Sequence, residues 1–378
     1  NDERVYVARL RTLYNQIGEA EERYELPPDM VQFREHVREL YLQIVVTAEV
    51  PDRVRRRPTF LCIDQVPLVD TYPRYLFKRQ DLHRLHKCLR LDEFPVITLK
   101  NGCKFGSEEL LLLGIHRLIS PIRFTDLVPF YGRDWSAISR AFNWFMKYVR
   151  TRFYWRMSNG GIIYPEGGMC VFGFIDDTVI HTTRVGGGPA EPGEDAARFN
   201  PIIQHSFYTG YKHMHGLKYQ SIELPNGLCM DLYGPTPVNF GDTELVTESQ
   251  LEMKLAQLSH GLGKEYIIYG DGIFQHTPHI KSKHAGETTR AERYENGIMT
   301  KLRISNEWAY GITGQTFSTL LWKYALKLQQ NREQSYYYIT ATILRNARGC
   351  LGPSNVSTYY KCNPPTLEEY FRMPPHLD

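Results

Sequence analysis

The sequence predicts an α+β fold in which helices precede a sheet. Apolar residues at helical spacing dominate the chain as far as Phe153. Two short runs rich in β-branched and aromatic residues follow, Met169 to Ile175 and Tyr266 to Tyr269, and both stop at carboxylates. A last segment, Thr289 to Leu320, returns to a mainly helical spacing through Ile298, Leu302, Trp308 and Ile312.

Taken in order, Phe33 to Val46 and Gln80 to Leu91 carry helix-spaced apolar residues, with the proline-containing stretch Pro51 to Pro73 between them. Residues 1–105 therefore read as a helical preface. Ser107-Glu108-Glu109 opens an apolar helix, Leu110 to Ile119. Phe124 to Tyr131, Gly132 and a longer helix from Asp134 complete a pattern that predicts a helix-turn-helix over 106–158. In the last helix Trp135, Ile138, Phe142, Phe145, Val149 and Phe153 repeat every three or four residues and predict the core face. Arg140, Asn143 and Lys147 fall largely off that face and suit base edges and phosphates in a major groove. They suit an ordinary solvated face equally well.

The two strand runs end in chemistry. Phe172-Gly173-Phe174-Ile175 leads into Asp176, which places a carboxylate where a sheet meets solvent. Tyr266 to Tyr269 stops at Gly270-Asp271-Gly272, a combination that favours a sharp exit from a strand. Glu307 lies in the closing helical segment. Two strand-end carboxylates and one helix carboxylate suit a pair of hard cations, because such ions take oxygen ligands and keep positions open for water and phosphate. Two ions of this kind stabilise both the attacking and the leaving oxygen of a phosphoryl displacement. The plain alternative is a pair of solvated aspartates and, for Glu307, an i,i+4 ion pair with Arg303.

The same residues stand in longer motifs. GFIDDT, IIQHSFYTGYKHMHGLKYQSIELPNGLCMDLYGP, a loop ending in Asp242, YGDGIF and RISNEW follow one another in this order. Together they resemble the Harbinger group of DDE transposases over about residues 70–345. The resemblance implies an RNase H-like catalytic domain at 159–345, a mixed sheet flanked by helices, and a catalytic, metal-binding triad at Asp176, Asp271 and Glu307. It further implies two Mg²⁺ or Mn²⁺ ions, cleavage of transposon-end DNA, joining to target DNA, and a nuclear location. A separate Myb-like DNA-binding partner and a homo-oligomer belong to the same expectation. Two departures stand out. Asp177 follows the first aspartate where the family usually has glycine, a like charge able to raise a carboxylate pKa or to act as a further ligand. The loop Val238 to Asp242 lacks the family's basic residue before its supporting aspartate. These departures keep a second reading open, a domesticated, non-catalytic DNA-binding or adaptor protein.

Composition sets wider bounds. The formal net charge of +3 does not announce nucleic acid, so any basic footprint is local. Candidates are Arg53 to Arg57, Lys78 to Arg90 and Lys281 to His284, together with Lys212, His213 and Lys218 as phosphate contacts. The seven cysteines form no C-x-x-C pair, which points to reduced thiols in the cytosol or nucleus. No apolar run reaches membrane-spanning length, so no membrane partner is expected. Gly186-Gly187-Gly188-Pro189 lacks the lysine and hydroxyl of a phosphate loop and reads as a flexible loop beside the site. His213-x-His215 reads as lining the nucleic-acid side of the sheet. Residues 346–378 are expected to form a tail, and the start at Asn1 suggests a trimmed or partial chain.

Overall fold

The computed structural model describes residues 60–100, 102–157, 171–183, 201–263, 265–286, 288–322 and 335–373. All belong to one compact unit, Phe60–Asp378. The helix expected over 33–46, the basic run Arg53 to Arg57 and the glycine loop at 186–188 lie outside the described residues.

The first half is built from helices whose limits follow local chemistry. Helix α1 covers Leu68–Tyr75 and α2 covers Arg79–Cys88. A small antiparallel ribbon, β1 (Val96–Thr98) and β2 (Lys104–Gly106), leads into α3 (Ser107–Ile119). Helix α4 (Val128–Tyr131) ends at Gly132, whose φ of 60° is the left-handed turn that glycine adopts without penalty. Helix α5 (Trp135–Phe153) starts at Asp134, whose side chain accepts the Ser136 N–H at 2.9 Å.

The sheet follows. Its elements are β3 (Val171–His181), α6 (Pro201–Ser206), β4 (Tyr208–Thr209), β5 (Met214–Glu223), β6 (Cys229–Pro237), α7 (Asp242–Glu248), α8 (Leu251–Leu262), β7 (Ile267–Tyr269) and β8 (Ile280–Lys281). Helices α9 (Arg290–Thr316), α10 (Tyr336–Gly349), α11 (Asn355–Tyr360) and α12 (Leu367–Phe371) complete the fold. The strand order is β6-β5-β3-β7-β8, with β4 on the end of β5. β6, β5 and β3 are antiparallel neighbours, whereas β7 and β8 run parallel to β3. β3 does not stop at Ile175. It continues to His181 because β5 offers hydrogen-bonding partners as far as His181 opposite Gly216. Asp176 therefore lies inside a strand and not at its solvent end.

Two cores flank the sheet. Ile175, Ile222, Ile268 and Phe274 pack with Leu251 and Leu255 of α8. Leu217, Tyr219 and Leu232 join Phe142, Phe145 and Val149 of α5, Ile339 and Ile343 of α10, and Leu367 and Phe371 of α12 in one larger core. The predicted α5 face is correct at Ile138, Phe142, Phe145, Val149 and Phe153, all fully buried. Trp135 departs from it and is 54% exposed, since it occupies the first position of the helix, beyond the packed stripe.

The same packing joins parts that the sequence separates. Arg84 pairs with Glu368 at 2.8 Å, and Arg156 donates to the Glu369 carbonyl at 3.1 Å, so the C-terminal helices close on the helical preface. The boundary expected after residue 345 falls inside α10. Helix α5 packs on both α3 and α10, which is unlike a detached helix-turn-helix.

The α3–α5 crossing depends on Gly114. A Cβ at that position would lie 2.1 Å from Phe145 Cδ1, so the two backbones approach only because no side chain intervenes. Gly114→Val is expected to destabilise the protein by about 1–3 kcal/mol or more through overpacking. A lower urea-unfolding midpoint with an unchanged slope checks this, and an unchanged midpoint refutes it.

Candidate functional site

Strand register decides how the predicted acids lie relative to one another. Phe174 of β3 pairs in parallel with Tyr269 of β7. Two residues further along each strand stand Asp176 and Asp271. In neighbouring strands roughly 4.8 Å apart, positions at equal offset fall side by side on the same face. Gly270 makes this exit possible, because a Cβ there would meet Phe274 Cδ2 at 2.6 Å and Ile175 Cγ2 at 2.9 Å. The turn is then held by the Phe274 N–H donating to the Asp271 carbonyl at 3.0 Å and the Gly272 N–H donating to Asp271 Oδ1 at 2.6 Å. Asp176 is half-buried, and its Oδ1 accepts the Asp177 N–H at 2.8 Å.

Helix α9, which carries Glu307, packs against β3. Thr289 caps it reciprocally, accepting the Glu292 N–H at 3.2 Å while the Thr289 N–H donates to Glu292 Oε2 at 2.7 Å. A buried network ties the helix to the sheet at the level of Asp176. Ser221, the partner of Asp176 across β5, donates to Glu223 Oε1 at 3.2 Å. Arg345 of α10 donates to Glu223 Oε2 at 2.8 Å and to Thr313 Oγ1 of α9 at 3.1 Å. Glu307 stands six residues before Thr313 on this helix, about 9 Å along the axis at 1.5 Å per residue. The Glu307 side chain lies outside the described residues. Sequence reasoning missed Glu223 and Arg345, yet a signal existed: an acid within the buried run Gln220-Ser221-Ile222-Glu223 calls for a cationic partner.

A second carboxylate group belongs to the opposite face of β3. Asp177 pairs with Gln220 and shares its face with Lys218, which is opposite Val179. Lys218 is 9% exposed, and its ammonium donates to Asp242 and to the Phe240 carbonyl at 2.6 Å. The expected phosphate contact by Lys218 is therefore corrected: its charge is consumed in holding the start of α7. Both carboxylate oxygens of Asp177 are buried, and neither has a hydrogen-bond partner assigned among the described residues. Burial first, and Asp242 second, push Asp177 up to about 8, with Lys218 opposing the rise and Asp176 adding to it. Near neutral pH a protonated Asp177 is able to donate to the Asp242 carboxylate, which relieves the crowding.

The remaining candidates disperse. Arg140 and Lys147 are exposed on α5, Arg140 donating to Ser136 Oγ at 2.9 Å. Asn143 is corrected from base reader to packing residue, since its Oδ1 accepts the Tyr337 hydroxyl at 2.8 Å. Lys212 and His213 are exposed in the turn before β5, where His213 has a φ of 49°.

Asp176, Asp271 and Asp242 offer the hard oxygen donors that Mg²⁺ or Mn²⁺ take. Among the described residues no group of three or more His, Cys, Asp or Glu side chains is arranged to hold a metal ion. The family described as DDE superfamily endonuclease matches residues 195–346. That span contains Asp242, Asp271 and Glu307 and begins after Asp176. No curated protein and no solved structure matches the chain.

The crowding at Asp177 has a measurable consequence. Its folded pKa of about 8 lies above the ordinary 3.8, so the folded state binds this proton more tightly than the unfolded state. The stability it contributes is complete below the unfolded value and is lost as pH rises through about 8. Asp177→Asn is expected to flatten the fall of stability between pH 4 and 8 and to exceed the wild type above it. Urea titrations across that range decide the matter, and parallel pH profiles for the two proteins rule the assignment out.

Proposed function

We propose that this chain is a divalent-metal-dependent DNA endonuclease of the DDE type, working as a Harbinger-like transposase or as a nuclease descended from one. The observation that carries the reading is the equal offset of Asp176 and Asp271 beyond the parallel Phe174–Tyr269 pair. The sheet supports it, since three antiparallel strands followed by two parallel ones, with helices on both faces, is the arrangement expected of an RNase H-like core. The family match over 195–346 agrees in its three downstream acids.

In this reading Asp176, Asp271 and Glu307 hold two Mg²⁺ or Mn²⁺ ions, which when bound stabilise the attacking and leaving oxygens of a DNA phosphodiester. The chain's own residues do the positioning. Pairing of β3 on both edges keeps Asp176 from moving, and Gly270 turns Asp271 onto the same level. Arg345 and Glu223 hold the helix of Glu307 against the sheet. Lys218 fixes Asp242 at the head of α7, so Asp242 and Asp177 support the site from behind. Water is the first nucleophile, and a DNA 3′-hydroxyl serves in strand joining. Exposed Lys212, His213, Arg140 and Lys147 supply phosphate contacts along the duplex. Nuclear residence, a Myb-like partner and self-association complete the proposal.

Asp271→Asn preserves shape and removes a charge from the ion site. Cleavage of cognate end DNA with Mg²⁺ or Mn²⁺ is expected to fall by orders of magnitude while the thermal midpoint stays close to wild type. Full cleavage by this variant assigns the chemistry elsewhere. A wild-type chain that binds DNA tightly and cleaves it with neither ion is the non-catalytic adaptor.

Arg140→Ala separates recognition from chemistry. If α5 meets a groove, binding at fixed salt weakens by about 1–3 kcal/mol and discrimination relaxes at one base position. Unchanged affinity and preference on cognate and scrambled duplexes leave α5 to packing and give recognition to a partner.

A further inference from the structure

A cavity of about 410 Å³ lies between α7, the first turn of α8 and the turn after Asp271. It falls within the range of small-ligand sites, roughly 300–1,000 Å³. Its position ties it to two of the acids discussed above. One wall, with Val246 and Thr247, belongs to the helix that begins at Asp242. The other, with Phe274 and Gln275, is the turn held by the Phe274 N–H on the Asp271 carbonyl. A group seated in it is therefore a near neighbour of whatever those acids hold.

The lining selects a chemical class. Val246, Met253 and Phe274 give it an apolar body, and the amides of Gln250 and Gln275 stand at its rim. Glu252 is the one charged residue among those lining it. Its carboxylate already accepts the Thr277 hydroxyl at 2.7 Å and the His279 N–H at 3.2 Å. No lysine or arginine lines the cavity, so it does not suit a phosphate. An aromatic side chain with amides at the edge suits a flat, neutral, hydrogen-bonding ring. Gln250 adds a further sign, because it sits at the α7–α8 junction with a φ of 55°, a left-handed conformation that costs a non-glycine residue energy and gathers at binding sites.

We infer that this cavity takes one unpaired nucleobase of the DNA strand at the acids, drawn out of the stack beside the phosphate to be cleaved. The inference rests on the nuclease reading above and deepens it. A base inside a duplex cannot enter a concave pocket, so the pocket favours DNA with unpaired nucleotides. Stacking and edge contacts of a single base are worth about tenfold in affinity, the lower part of the range found for single-stranded DNA.

The test uses the full chain in metal-free buffer and two fluorescent duplexes of equal paired length, one blunt and one with a four-nucleotide 3′ overhang. The wild type is expected to bind the overhang duplex about tenfold more tightly by anisotropy. Val246→Trp fills the cavity and should bring the two affinities within twofold while leaving the blunt duplex unchanged. Thr247→Trp, at an exposed rim position, repeats the experiment without touching the core, and thermal melts verify both folds. An overhang of abasic nucleotides keeps the phosphates and removes the bases, and should lose the preference. Equal wild-type binding to both duplexes overturns the inference, as does a preference that survives the tryptophan variants or the abasic overhang. Absence of binding to either duplex sinks the nuclease reading instead.

Discussion

The interaction on which the arrangement depends is the buried pair between Arg345 of α10 and Glu223 of β5, with side chains 7% and 3% exposed. Removing two charges from water costs several kcal/mol per ion, and mutual attraction offsets this only where further hydrogen bonds satisfy both groups. Here they do: Ser221 and Arg345 both donate to Glu223, and Thr313 accepts from Arg345. Burial disfavours the Arg345 charge, yet the neighbouring carboxylate more than compensates and keeps it protonated. The geometry that satisfies these groups also couples β5, α9 and α10 at the height of Asp176. Apolar residues of similar volume would fill the space without fixing the orientation of a helix in this way.

β3 separates two sets of carboxylates. Asp176 shares a face with Glu223 and the helix of Glu307, while Asp177 turns toward Lys218 and Asp242. Adjacent charges in sequence thus acquire different environments because strand side chains alternate. The lysine that seemed suited to DNA is spent inside the protein. Its role is to neutralise the aspartate at the start of α7, which reduces the repulsion behind the candidate site.

The helical half is a buttress for the sheet more than a separate reader of DNA. Tyr337 bonds Asn143, Thr340 bonds the Met146 carbonyl at 3.2 Å, and Tyr154 bonds the Leu232 carbonyl at 2.9 Å. These contacts join α5 to α10 and to the sheet's edge hairpin. They leave Arg140 and Lys147 facing solvent, so any groove contact by α5 has to be made by its outer stripe alone.

Much of this was legible in the chain because it rests on local periodicity. The limits of α2, α3, α5, β7 and α9, the core stripe of α5 and the glycine-marked exit before Asp271 all follow from residues within a few positions of one another. The sequence also singled out Asp176, Asp271 and Asp242 as candidates, and the odd placement of Asp177. What it left open depends on partners distant in the chain. The extension of β3 past Ile175 needed the pairing offered by β5, and the capture of Lys218 needed the approach of Asp242. The exposure of Trp135 and the bond from Tyr337 to Asn143 needed the packing of α10. Register between parallel strands, face by face, is set by contacts across long loops that no local pattern encodes. Only the tertiary structure therefore placed Asp176 and Asp271 side by side and joined the helical half, the sheet and the C-terminal helices into one core.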